Sequence, residues 1–121
     1  MVTIKPDAPR NLLVLKFSGH VGSEDVKQHM PDVARALSAL KPGFCLLTDL
    51  SELDSMEYAA APYISHTMDQ CNGKGVLRVV RVIPDNRKDI GFKMLSYFHY
   101  GHQVGIITCE TLQEAHATLV N

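Results

Sequence analysis

The side chains of this 121-residue sequence that could do chemistry are six histidines, three cysteines and thirteen carboxylates, and their spacing decides what kind of chemistry. His99 and His102 are the closest imidazole pair, but Gly101 breaks helical geometry between them and no third ligand is near, whereas catalytic zinc wants three fixed ligands. Imidazoles at a helix end are favourable to its dipole without any metal. His66, Asp69 and Cys71 share one helix at offsets of three and two, which does not bring all of them to one face. Neither a metal nor a cofactor is expected. Cys45 and Cys109 fall within or at the end of apolar strands, where a thiol is commonly a small buried hydrophobe. No Gly-x-Ser-x-Gly elbow places a nucleophile on a sharp turn beside a base. Gly73, Lys74 and Gly75 carry no phosphate-binding fingerprint and read as a helix stop. The sequence is therefore read as a non-enzyme.

The acids carry more weight because of where they fall. Asp49 closes one strand, Glu57 lies near the next helix start, and Asp85 with Asn86 closes the following strand. In an open α/β sheet these positions gather at the carboxyl ends of parallel strands, where ligands and partners bind. Helix capping and turn formation are the ordinary alternative for each acid alone. SYFHYGH adds Tyr97 and Tyr100, which point away from the inward Met94 and Phe98 and form a polar-tipped aromatic patch suited to a pocket or interface. Arg78 and Arg81, three apart in a strand, face opposite sides of the sheet. At least one of them emerges on or beside an apolar face, where it needs a carboxylate or phosphate partner.

The elements that must hold these residues follow from apolar periodicity. VTIK and LLVLKFSG form an opening hairpin around the PDAPR turn. Ser23 is the expected N-cap of a helix with Val26, Met30, Val33, Ala34, Leu37 and Leu40 inward, kinked or split near Met30 by Pro31 and ended by Pro42 and Gly43. FCLLTDL is a buried strand, followed by a helix from near Ala60 to Gly73. VLRVVRVI is a strand, and a third helix carries Ile90, Met94, Leu95 and Phe98 to Gly101. QVGIITC is the last strand, and a Thr111/Glu114 capping box opens the final helix. The fold class is thus α/β: a mostly parallel sheet of about five strands with an N-terminal hairpin, and four helices packed mainly on one face. Apolar strand residues left on the other face would then be covered by a second copy, giving a homodimer, or by an apolar small ligand.

Composition bounds the rest. Residues 1–121 suit one domain, at 45% hydrophobic and 21% charged. Twelve basic against thirteen acidic residues leave no excess to draw nucleic acid. No apolar run approaches the ~20 residues of a membrane span. The opening MVTIKPDAPR lacks a signal-type apolar region, and an odd cysteine count forms no closed disulfide framework, so a cytoplasmic location is expected.

LLTDLSELDSMEYAAAPYISHTMD resembles the anti-sigma-factor antagonist, or STAS, family, in which an apolar strand ends in Asp-Leu-Ser and an Asp-Ser-Ser-Gly sequence opens the next helix. Asp49, Leu50, Ser51 and Leu53 match the first part. The second part falls on Glu57, Tyr58, Ala59 and Ala60, so an acid survives while both serines and the glycine are lost. The resemblance makes Ala59 the counterpart of the serine that the family phosphorylates. Nearly the whole chain, including Pro31, VLRVVRVIPDN, FKMLSYFHYG and TLQEAHATL, is similar to the SpoIIAA-like branch, itself described as similar to lipid-binding Sec14 domains. The resemblance implies a regulatory module with a regulatory protein partner, or else a carrier or sensor of an apolar or amphipathic ligand. The expected site comprises Asp49, Glu57, Tyr58, Ala59, Asp85, Asn86, Tyr97 and Tyr100.

Overall fold

The computed structural model describes residues 1–83 and 104–119. Five strands, β1 (Val2–Asp7), β2 (Leu12–Val21), β3 (Cys45–Met56), β4 (Arg78–Val82) and β5 (Gly105–Cys109), lie side by side in sequence order. β1 pairs antiparallel with β2, and the other three pairings are parallel, so the sheet is mixed. The β1–β2 turn is set by Asp7, which accepts the Arg10 N–H at 3.3 Å, and by Asn11 in the left-handed region. The Asn11 side chain also grips the next connection, accepting the Lys41 N–H at 2.9 Å and donating to the Lys41 carbonyl at 3.2 Å.

Helices α1 (Ser23–Ser38) and α2 (Ala61–Lys74) cover one face of the sheet. Leu13, Leu46 and Leu50 from the strands meet Val26, Val33 and Leu37 of α1 and Ile64, Met68 and Cys71 of α2. Each fully buried leucine contributes roughly 1.5–3 kcal/mol relative to exposure. Helix α3 (Leu112–Leu119) packs on the opposite face, where Ala115 and Leu119 join Leu12, Leu47, Val80 and Val82. Among the described residues two of the three helices thus share one face, and α3 takes the other. The right-handed crossover constrains only a helix that leads to another parallel strand. α3 follows the last strand, and it is the apolar stripe of the second face that recruits it. Among the described residues, what α3 leaves uncovered on that face over β1 and β2 is chiefly polar: Thr3, Lys5, Lys16 and Ser18, with Val14 among them.

Three local expectations change. Pro31 does not split α1, which runs on through it, because Pro31 and Lys27, whose carbonyl loses its N–H partner, are both exposed and water can serve that carbonyl. The N-cap is Gly22, one residue before Ser23. β3 continues to Met56, well beyond Leu50. The expected third helix lies outside the described residues. α3 starts as its capping box implies, with Thr111 Oγ1 accepting the Glu114 N–H at 3.2 Å.

Candidate functional site

The long β3 strand splits the expected site. Asp49 pairs with Val82, the last residue of β4, so it stands where the β4 end of the sheet stops. β3 and β2 run on together to Met56 and Val21, and Glu57 and Tyr58 sit at the tip of that extension. Two register shifts each place one extra residue in β3, between the pairs Lys16–Asp49 and Ser18–Glu52 and between Gly19–Leu53 and His20–Ser55. Gly19 takes φ +65° beside the second, a conformation that suits glycine.

Asp49 is buried and turned onto the first bulge, where one carboxylate oxygen accepts the Ser51 N–H at 2.9 Å and the Ser51 hydroxyl at 2.6 Å. It stabilises the irregular strand. Beside it on the second face, Lys16 pairs with Glu52. The hydrogen bond to Glu52 raises the Lys16 ammonium above its ordinary value against a smaller loss from burial, and the charges of Glu52 and Asp49 add to the rise.

Glu57 ties the tip to α1. Its backbone N–H donates to the Val21 carbonyl at 2.9 Å, and its Oε1 accepts the Ser23 N–H, in the first turn of α1, at 2.8 Å. Asp25 completes the cap by accepting the Gly22 N–H at 2.8 Å. Both carboxylates answer the positive end of the helix dipole. Gly22 fits between them, since a Cβ there would stand 3.2 Å from Glu57 Oε1. The 3-10 turn Tyr58–Ala60 then leads into α2, its inner residue Ala60 fully buried and Ala59 exposed. Tyr58 is 93% exposed, with its ring projecting from the tip.

One residue at this tip, His20, escaped the sequence reading, and so did its pairing with Ser55. His20 Nδ1 lies 2.7 Å from Ser55 Oγ, and His20 Nε2 lies 3.9 Å from Glu57 Oε2. His20 and Ser55 are 35 positions apart and meet only because the second bulge shifts the register, which no local spacing signals. Asp85, Asn86, Tyr97 and Tyr100 lie outside the described residues. Arg78 and Arg81 do face opposite sides: Arg78 donates to the Thr118 carbonyl of α3 at 3.4 Å, and buried Arg81 reaches Thr108 Oγ1 at 3.2 Å. Away from the tip, an open groove of about 430 Å³ runs between β1 and α1, lined by Val2, Thr3, Ile4 and Pro6 of β1 and by His29, Asp32, Arg35 and Ala36 of α1. Among the described residues no helix is long and apolar enough to cross a membrane.

No family model matches the sequence, and no curated protein matches it. Solved structures do. An uncharacterised DUF3478-family protein with a SpoIIAA-like fold from Shewanella loihica PV-4 is 22% identical with a TM-score of 0.70, over 98% of this chain and 92% of that one. The unphosphorylated anti-sigma factor antagonist SpoIIAA is 14% identical with a TM-score of 0.67, over 99% and 97%. An anti-sigma factor antagonist from Mycobacterium paratuberculosis is 17% identical with a TM-score of 0.54, over 100% and 94%. At these identities the likeness is one of fold, and the chain has the SpoIIAA-like, STAS-type fold.

Proposed function

We propose that this chain is a non-enzymatic regulatory module that docks a protein partner through the tip of the β2–β3 extension. The observation that carries the reading is Tyr58, a fully presented aromatic on a turn anchored by Glu57. Tyrosine is among the residues that dominate interface energetics, and a rigid mount limits the entropy lost on docking. The fold supports a partner of the anti-sigma-factor class, since SpoIIAA-like neighbours bear the name antagonist. With Ala59 at the family's acceptor position, phosphorylation there is not the switch, because alanine carries no hydroxyl. The three free cysteines suit a reducing compartment such as the cytoplasm, and a homodimer belongs to the same reading.

The test is titration calorimetry of the purified chain against the anti-sigma factors of its source organism. Tyr58→Ala should weaken the binding found by about 30-fold or more, the scale of a 2 kcal/mol hot spot, with the melting temperature unchanged. Undiminished binding by Tyr58→Ala would remove the tip from the interface. The groove between β1 and α1 favours a second reading, a carrier of an amphipathic small ligand, for which Ala36→Trp should abolish ligand uptake and spare partner binding.

A further inference from the structure

We propose that Ser55 is an acyl-acceptor site, a serine hydroxyl with His20 as its base that takes an acyl group from an activated ester or thioester. The second bulge of β3 sets Ser55 opposite His20, and Ser55 Oγ lies 2.7 Å from His20 Nδ1. The far side of the ring faces Glu57 Oε2 at 3.9 Å. That carboxylate is held in place, because its other oxygen accepts the Ser23 N–H at 2.8 Å. A carboxylate only accepts hydrogen bonds, so its charge favours the tautomer with the proton on Nε2. Nδ1 then presents its lone pair to the Ser55 hydroxyl. A nucleophile, its base and a group that orients the base are the components of an activated serine. Ser55 and His20 are both exposed, so an acyl donor can reach them.

In the step, Ser55 Oγ bonds to the carbonyl carbon of the donor while the bond from that carbon to the leaving oxygen or sulfur breaks. The Oγ proton passes to His20 Nδ1 and from there to the leaving group. The products are O-acyl Ser55 and a free alcohol or thiol, with His20 returned to its neutral form. Glu57 is a positioning residue here and Ser55 takes the bond.

The experiment treats the full chain with p-nitrophenyl acetate near neutral pH and follows acetylation by intact mass and peptide mapping. Exposed Ser38, whose hydroxyl donates to the Arg35 carbonyl at 2.6 Å, is the internal standard. Ser55 should acetylate about 10²-fold faster than Ser38, the low end of general-base acceleration. His20→Gly should abolish that advantage and added imidazole should restore it, a rescue that a structural role for His20 would not give. Glu57→Gln should lower the Ser55-to-Ser38 ratio in protein whose circular dichroism is unchanged. Acetylation of Ser55 no faster than Ser38, an unchanged rate in His20→Gly, or a stable adduct on another residue alone would each overturn the assignment.

Discussion

Replacing Glu57 by alanine tests how the tip is built. The change removes a charge-assisted hydrogen bond to the Ser23 N–H at 2.8 Å and a negative charge at the start of a 16-residue helix. Losing a capping acceptor costs ~0.5–2 kcal/mol, and a charge at a helix end is worth ~0.3–1 kcal/mol. Two features keep the sum low. The Glu57 side chain is 47% exposed, so water can reach the freed N–H and the penalty of a buried orphan donor does not arise. Asp25 still holds the neighbouring Gly22 N–H. The expected loss is about 1 kcal/mol, and Glu57→Gln, which keeps the acceptor and drops the charge, should lose about half as much. Urea unfolding followed by circular dichroism reads this directly, because at a slope of ~1–3 kcal/mol/M the midpoint should fall by about 0.3–1 M with the slope unchanged. An unchanged midpoint in Glu57→Ala, or a lower one in Glu57→Gln than in Glu57→Ala, would refute the cap.

Other perturbations probe the frame around the tip. Leu47→Ala, at a position 1% exposed beneath α3, should cost ~2–5 kcal/mol in the same urea experiment. Gly75→Ala should cost ~1–2 kcal/mol, since Gly75 sits at φ +97° and a Cβ there would meet Pro42 at 3.2 Å. Cys71, whose thiol burial pushes up to about 12, should resist iodoacetamide in the folded protein and react once urea unfolds it.

The alternation of strands and helices was legible because apolar periodicity survives wherever an element is regular. Leu13, Leu15 and Phe17 keep the two-residue period of a strand and are buried together in the first core. The second half of β3 breaks that period. Leu50 and Leu53 both enter the same core although they are three residues apart, because a bulge lies in this part of β3. A strand with that spacing and with Ser51, Glu52, Asp54 and Ser55 around it reads as a loop. The side chosen by α3 was illegible for a different reason. It depends on which face of the finished sheet remains apolar, and Leu12, Leu47, Val80 and Val82 come together only after three strands have paired.

The same bulges explain why the acids were recognised as a group and yet divide in space. Strand ends inferred from sequence put Asp49 and Glu57 on one edge, whereas β3 carries Glu57 onward from the level at which β4 stops. Asp49 consequently serves its own strand, with its carboxylate on Ser51. Glu57 caps α1 with one oxygen and leaves the other facing His20, beside an exposed Tyr58. Capping and docking are thus successive links in one chain of causes: the cap fixes the turn, and the turn presents the ring. That order makes a distinguishable pair of outcomes. Glu57→Ala should lower stability and binding together, because it loosens the mount, while Tyr58→Ala should lower binding alone. If Tyr58→Ala also lowered the urea midpoint by about as much as Glu57→Ala, ~0.3–1 M, the ring would be part of the mount and the docking surface would have to lie elsewhere on the chain.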